Sequence, residues 1–288
     1  MKIQQILFPV DLTESSIAVA KHVSAMAALF QAKIAIVHAA EDPLKWFGST
    51  DPIKTVETDL PRALEEAELA VWAFAQAEFP DRDVSITSEL ASPLELIERI
   101  AKSISADLIM MPTRGRGRFR AALLGSLTAE VLHDLAVPVW TEVHSEQRSI
   151  GGHLPIRTVA CAVDLQPGSV QVVRSACDLA ARCGAVMFIV HGVPTAEMLL
   201  GPYSKIEPPV YMEDFARSEI EKIQQQAGTS AEVWLESGPI ATVARKAAAE
   251  KSADLMVIGR GRIGHNLEGL AAHAYGIVRE APCPVLSL

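Results

Sequence analysis

The stretch ILFPVDLTESSIAVAKHVSAMAALFQAKIAIVHAAE (residues 6–41) shows the architectural unit of this chain. Residues 3–10 and 33–38 are short apolar runs that predict buried strands, whereas residues 15–31 carry apolar side chains at helical spacing. Two buried strands joined by a helix predict a βαβ unit, which is the building block of a parallel sheet.

The pattern continues downstream with alternating elements. We predict helices over 61–79, 93–103 and 126–135, and strands over 84–90, 107–111 and 137–143. This alternation indicates an α/β fold, a doubly wound parallel sheet covered by helices on both faces. Ligands of such sheets bind beyond the carboxyl ends of the strands, so the loops after Val10, Val37 and Met111 are the ones of interest.

The whole unit occurs twice. Val10-Asp11 recurs 153 residues later as Val163-Asp164, and Val37-His38 recurs at the same distance as Val190-His191. Further matches lie 146 or 147 residues apart: Ser92-Pro93 with Gly238-Pro239, Ala106-Asp107-Leu108 with Ala253-Asp254-Leu255, and Pro138-Val139 with Pro284-Val285. Matches in this order predict two homologous domains, residues 1–146 and 156–288, joined by a polar, glycine-containing linker over 147–155.

Composition excludes several classes of protein. The 288 residues carry 26 basic and 35 acidic side chains, a formal charge of −9, which makes nucleic acid an unexpected partner. No apolar run is long enough to span a membrane, and the apolar stretch before Asp11 is too short for a signal peptide. The four cysteines form no CxxC motif, so we expect reduced thiols and a cytoplasmic location.

The loop after Met111, PTRGRGRFRAALLGSLTAEVL (residues 112–132), has the chemistry of a phosphate site. Gly115 and Gly125 allow close approach of the backbone, and Gly125-Ser126 opens a helix whose N-terminal N–H groups attract anions. The alternative is a glycine turn followed by an ordinary serine cap.

Both halves resemble the universal stress protein domain, and the whole chain resembles the tandem members of that family. The family pattern is Gly, two residues, Gly, nine residues, Gly, then Ser or Thr, with an aspartate after the first strand. Asp11, Gly115, Gly125 and Ser126 match it. The resemblance implies an adenine nucleotide alpha hydrolase-like fold with possible binding of ATP. It places the candidate site at Pro9, Val10, Asp11, Ala39, Pro112, Gly115, Gly125 and Ser126.

Each half departs from the family pattern. In the first half, Pro112 stands where the family has its first glycine, and proline has no N–H to donate. Neighbouring Arg114, Arg116, Arg118 and Arg120 could compensate through phosphate contacts, or could simply form a solvated basic loop. In the second half, Arg262 and Ala271-Ala272 replace the later glycines and the hydroxyl, so we expect no nucleotide in the family manner there.

The hexapeptide GRGRIG (residues 259–264) matches GxGxxG, but only one strand follows it, so a dinucleotide-binding unit has no room. His38 and His191 end equivalent strands, which favours a structural role. The sequence contains neither a paired acid and base nor a metal-ligand motif, so we expect that the protein is not an enzyme.

We therefore expect a stress-response binding protein whose halves pair as an intramolecular pseudo-dimer through the strands at 137–143 and 284–288. A homodimer is a further expected assembly. The alternatives are a scaffold or regulator without a nucleotide and a weak ATP-hydrolysing enzyme that uses Asp11.

Overall fold

The computed structural model describes residues 1–40, 60–113, 124–142, 156–195, 198, 211–260 and 270–288. In the first half these residues form β1 (Gln5–Pro9), α1 (Glu14–Phe30), β2 (Lys33–Ala40), α2 (Leu60–Glu78), β3 (Val84–Leu90), α3 (Pro93–Ser103), β4 (Leu108–Pro112), α4 (Ser126–Asp134) and β5 (Val139–Glu142). In the second half they form β6 (Thr158–Ala162), α5 (Ser169–Cys183), β7 (Val186–Val193), α6 (Tyr211–Ala227), β8 (Glu232–Ser237), α7 (Ile240–Glu250), β9 (Leu255–Ile258), α8 (Leu270–Glu280) and β10 (Val285–Ser287).

The strands form one sheet in the order β3-β2-β1-β4-β5-β10-β9-β6-β7-β8. Within each half every strand pair is parallel, and the order is the same in both halves. The predicted pair of doubly wound α/β domains is therefore confirmed. The predicted linker, residues 147–155, lies outside the described residues.

The two halves join where β5 pairs with β10, the antiparallel contact in this sheet. Trp140 lies opposite Leu286, and the Thr141 hydroxyl donates a hydrogen bond of 3.3 Å to the carbonyl of Val285. The prediction that the final strand of each half forms the pairing edge is confirmed.

Apolar side chains cover both faces of the sheet. One layer lies between the sheet and α1, α2, α5 and α6, and the other between the sheet and α3, α4, α7 and α8. Each layer contains residues of both halves, and the fully buried Trp140 and Leu286 belong to the same one. Because a strand covered on both faces has no solvated side, β1, β4 and β9 are almost continuously apolar.

One repeated sequence match has a clear structural role. The Asp107 carboxylate accepts hydrogen bonds from the N–H groups of Gln4 (2.7 Å) and Gln5 (3.0 Å) at the start of β1. Asp254 accepts equivalent bonds of 2.8 and 3.0 Å from the N–H groups of Arg157 and Thr158. In each half this aspartate aligns the first strand with the fourth.

Candidate functional site

The strand order of the first domain reverses between the ends of β1 and β4, and we call this edge of the sheet the crevice. After leaving β1 the chain returns beside it as β2, whereas β4 lies on the other side of β1, so the strand order reverses at this point. β1 ends at Pro9, but β2 continues to Ala40 by pairing with β3 alone. Among the described residues, this difference in length leaves the edge of β2 beyond the end of β1 without a neighbouring strand.

Ala39 lies on that open edge. The N–H of Val10 donates a 2.9 Å hydrogen bond to the carbonyl of Val37, so the backbone groups of Val37 face β1. Backbone groups alternate in direction along a strand, so those of Ala39 face the same side, past the point where β1 has ended. Ala39 therefore presents an N–H and a C=O to the crevice.

Asp11 follows β1 and holds a tight turn together. Its Oδ1 accepts hydrogen bonds from the Thr13 N–H (3.1 Å), the Thr13 hydroxyl (2.6 Å) and the Ser16 hydroxyl (2.7 Å). Leu12 takes a left-handed conformation with φ of 59°, and Thr13 is the N-cap residue of α1. The position and rotamer of the carboxylate are thus determined by the start of α1.

The other oxygen of this carboxylate, Oδ2, has a different environment. It is buried and has no hydrogen-bond partner within the described part of the chain. A buried carboxylate oxygen left without a donor is costly, because it has lost its hydration without gaining a replacement. Asp11 therefore offers an acceptor that a ligand hydroxyl or N–H would satisfy.

The second half keeps the turn but exposes its aspartate. Asp164 Oδ1 accepts bonds from the Gln166 N–H (3.0 Å) and the Ser169 hydroxyl (2.8 Å), and Leu165 has φ of 62°. Asp164 is solvent-exposed, whereas Asp11 is half-buried. The turn is thus a property of both domains, and the buried acceptor is a property of the first.

Each repeated histidine contacts the backbone just after the first strand of its own half. His38 Nδ1 lies 2.8 Å from the carbonyl of Val10, and His191 Nδ1 lies 2.9 Å from that of Val163. Both rings are buried, and burial lowers the pKa of His191. These contacts agree with the structural role predicted for the two residues.

Pro112 and Gly125 form the other wall. Pro112 is the last residue of β4, and its carbonyl accepts a 3.1 Å hydrogen bond from the Thr128 hydroxyl in α4. The N–H of Gly125 donates 2.9 Å to the carbonyl of Thr113, which brings the start of α4 to the end of β4. Pro112 itself contributes no donor to the crevice.

Helix α4 begins without a side-chain cap. Gly125 is the N-cap residue, with φ of −63° and ψ of 147°, and the exposed Ser126 is the first helical residue. The alternative that Ser126 is an ordinary serine cap is therefore wrong. First-turn N–H groups of a helix have no carbonyl partner within the helix, so this end of α4 favours an anion. Gly115 and the four loop arginines lie outside the described residues.

A buried carboxyl lies beside this wall. The backbone carbonyl of Glu142 accepts bonds from the Thr113 N–H (3.1 Å) and hydroxyl (2.8 Å), while its side chain extends under α1. Glu142 Oε2 is 3.1 Å from Trp140 Nε1 and 3.2 Å from His22 Nδ1. Burial raises the pKa of Glu142 to about 7, although the Trp140 N–H opposes this shift, and burial lowers the pKa of His22.

Arg260, within the GxGxxG hexapeptide, has a role that we did not predict. Its guanidinium crosses to the first domain and donates to the carbonyls of Leu132 (3.3 Å), Leu135 (2.6 Å) and Val137 (2.6 Å). The preceding Gly259 packs tightly, since a Cβ there would lie 3.0 Å from Val172 Cγ2. No short-range sequence signal marks Arg260, because its partners lie more than a hundred residues away.

We also searched the described segments for metal-ligand clusters, disulfide bonds and membrane-spanning helices. They contain no group of three or more His, Cys, Asp or Glu side chains placed to ligate a metal ion. The four cysteines, all of which are described, form no disulfide bond with one another. In the same segments, no helix is both long and apolar enough to cross a lipid bilayer.

The fold and the crevice define a class: tandem, doubly wound α/β proteins whose first half has a polar crevice at its strand-order reversal. The model of the universal stress protein family matches residues 2–141 and 155–288, so the chain belongs to the universal stress protein family. A universal stress protein of Mycobacterium tuberculosis (strain ATCC 25618 / H37Rv) is 26% identical over 227 residues, which cover 74% of this chain and 70% of that protein.

Solved structures agree with the fold over the whole chain. A universal stress protein from Archaeoglobus fulgidus DSM 4304 aligns with 99% of this chain and 96% of its own length, at a TM-score of 0.67 and 18% identity. A functionally unknown protein from Pseudomonas aeruginosa PAO1 aligns with 99% of this chain and 92% of its own, at a TM-score of 0.65 and 17% identity. The paired-domain architecture is therefore shared with experimentally determined structures.

Proposed function

We propose that this protein is a stress-response binding protein that takes an adenine nucleotide, with ATP as the leading candidate, in the crevice of its first domain. The observation that carries this proposal is the buried, unpartnered Oδ2 of Asp11 at the strand-order reversal. A ribose hydroxyl would donate a hydrogen bond to this oxygen while Oδ1 continues to hold the turn.

The rest of the crevice suits the other parts of a nucleotide. The outward N–H and C=O of Ala39 match the acceptor and donor on the edge of an adenine ring. The first turn of α4, after Gly125, would attract the phosphates through its N–H groups and helix dipole. Pro112 removes one donor, a loss of about 1 kcal/mol that the loop arginines would offset.

Binding without turnover is part of the proposal. In the proposed complex both carboxylate oxygens of Asp11 are engaged, Oδ1 in its own turn and Oδ2 by the ribose hydroxyl, while the buried ring of His38 is held by the carbonyl of Val10. Neither residue is therefore set up as a general base beside a nucleotide phosphate. A regulatory role, in which occupancy of the crevice is the signal, requires no such base.

Isothermal titration calorimetry, which measures the affinity of the full chain for ATP and for adenosine, tests the proposal. Asp11→Asn keeps an Oδ1 acceptor for the turn but places an amide donor where Oδ2 stood. Loss of a hydrogen bond to a charged group predicts binding weaker by about tenfold or more. Asp164→Asn makes the same change in the second half and should leave the affinity unchanged.

A second pair of variants separates phosphate from nucleoside contacts. Gly125 has N-cap geometry that aspartate adopts readily, so Gly125→Asp should fold normally. Its carboxylate would occupy the first-turn N–H groups and repel phosphates, so ATP binding should weaken but adenosine binding should not. The neutral Gly125→Asn occupies the same N–H groups without the charge, so it should weaken ATP binding less. Equal affinity of the parent, Asp11→Asn and Gly125→Asp proteins for ATP would refute the proposed site.

Two outcomes would favour the other candidates. Absence of co-purified nucleotide in mass spectrometry, together with no binding of ATP, would favour the scaffold without a nucleotide. Release of phosphate above that of an Asp11→Ala control would favour a weak ATP hydrolase.

A further inference from the structure

The loop after β9 contributes a contact to the opposite domain. Arg260 donates three hydrogen bonds to the carbonyls of Leu132, Leu135 and Val137, at the end of α4 and just beyond it. The last carbonyls of a helix have no intrahelical partners and carry the negative end of its dipole. A guanidinium, with several donors in one plane, is suited to satisfy them together.

The second domain holds Arg260 firmly in this position. The Arg260 N–H donates 3.0 Å to the carbonyl of Leu288, and Gly259 packs against Val172. Tyr275, in α8 of the same domain, adds a second contact, because its hydroxyl donates 2.6 Å to the carbonyl of Ala129 in α4. Two side chains of the second domain therefore hold α4 at two points along its length.

In the described part of the first domain, the contact made by Arg260 has no counterpart. The residue that corresponds to Arg260 in the repeat is Thr113, 147 residues earlier. Thr113 uses both its N–H and its hydroxyl on the carbonyl of Glu142, within its own domain. At this pair of equivalent positions, the residue of the second half contacts the opposite domain, whereas that of the first half stays within its own.

We propose that Arg260 is a positioning residue for the nucleotide site of the first domain. The inference rests on the proposed function, because it concerns the same site. Helix α4 has its N-terminus, Gly125 and Ser126, at the crevice and its C-terminus on Arg260. By holding one end of this nine-residue helix, Arg260 sets the direction in which the first-turn N–H groups point at the phosphates.

The test compares ATP with adenosine, because α4 serves only the phosphates. In Arg260→Ala, the preference for ATP over adenosine should fall by about tenfold, the effect of losing one charge-assisted hydrogen bond, while the affinity for adenosine stays unchanged. Arg260→Lys, which keeps the charge but loses the planar fork, should recover part of the preference. Tyr275→Phe should shift it in the same direction by a smaller factor.

Arg174→Ala is the matched control. Arg174 Nη2 donates 2.7 Å to the carbonyl of Gln226 at the end of α6, so its removal takes an arginine from a helix end that lies away from the crevice. Hydrogen exchange of the α4 amides gives a second readout that needs no ligand. Exchange should become faster in Arg260→Ala and stay unchanged in Arg174→Ala.

The outcomes separate the two proposals. If the parent protein binds neither ATP nor adenosine, the proposed function is wrong, and hydrogen exchange still reports whether Arg260 holds α4. If the parent binds ATP but Arg260→Ala keeps the same preference for it, or loses ATP and adenosine equally, the positioning role is wrong and the proposed function stands.

Discussion

Replacement of Glu142 by glutamine should stabilise the protein at alkaline pH and leave it nearly unchanged at acidic pH. The carboxyl is buried between β5 and α1, where it meets the Trp140 N–H and the ring of His22. Burial raises its pKa from 4.5 to about 7. The folded chain therefore keeps a proton on Glu142 at pH values where the unfolded chain has lost it.

This difference in proton binding determines the direction and the magnitude of the change in the free energy of unfolding with pH. As pH rises from 4.5 to about 7, the folded state binds more protons than the unfolded state, so the free energy of unfolding of the parent falls. At about 1.36 kcal/mol for each pKa unit, the free energy of unfolding above pH 7 is lower than that at acidic pH by about 3 kcal/mol. This is an upper value, since protonation of His22 at 3.2 Å would stabilise the carboxylate.

Glu142→Gln has no proton to lose and keeps an oxygen that can accept from Trp140 Nε1. We therefore expect its free energy of unfolding to exceed that of the parent by a margin that grows from pH 5 to pH 8. Urea denaturation followed by far-ultraviolet circular dichroism at unit steps of pH measures this margin. The cost of the buried charge disappears in the variant, whereas all other titrating groups are shared.

Glu236→Gln provides the control. Trp234 Nε1 donates to Glu236 Oε2 at 3.3 Å, and the two residues are two positions apart in the sequence, as Trp140 and Glu142 are. Glu236, however, is partly exposed and is paired with Lys246. Lys246 lowers the pKa of Glu236, so its titration lies below the range tested. A margin for Glu142→Gln that stays constant from pH 5 to pH 8, or that matches that of Glu236→Gln, would refute a neutral buried carboxyl.

Two further predictions concern stability. Asp107→Ala leaves one exposed and one partly buried strand N–H without their acceptor, so the free energy of unfolding in urea should fall by about 1 to 2 kcal/mol. Asp254→Ala should have the same effect in the second domain. Gly192→Ala would place a Cβ 2.9 Å from the carbonyl oxygen of Gly238, so it should lower the free energy of unfolding by about 1 to 3 kcal/mol and lower the Tm. Gly168→Ala is the control, because a Cβ there has no atom within 4 Å and the Tm should not fall. Equal Tm values of the two variants would contradict the close contact at Gly192.

The architecture was predictable because each element carries a local signal. Continuous apolar runs and helical periodicity predicted the strands and helices in order, and the ends of β3 and α3 agree to the residue. The predicted and observed ends of a strand differ where pairing with a distant strand determines the last residue. β2 extends to Ala40 rather than residue 38, because β3 continues to pair with it after β1 has ended.

The candidate site was predictable only in part. The position of Asp11 after a strand pointed to the crevice, but the contrast between its two carboxylate oxygens depends on burial, which spacing does not reveal. Arg260 lay in a motif that we did not expect to bind a dinucleotide, and the sequence did not reveal that its partners include the carbonyls of Leu132 and Leu135 at the end of α4. No sequence pattern marked Glu142, because its raised pKa arises from burial in the folded protein.

The antiparallel contact of β5 with β10 is made within one polypeptide, and this has a consequence for the protein in the cell. The local concentration of each half around the other is set by the covalent connection, so dilution does not separate them. Their ratio is always one to one, and neither half can exchange its neighbour for a protomer of a related protein. The second half, whose sequence departs from the family's glycine pattern at Arg262 and Ala271-Ala272, is therefore never found without the half that matches the pattern more fully.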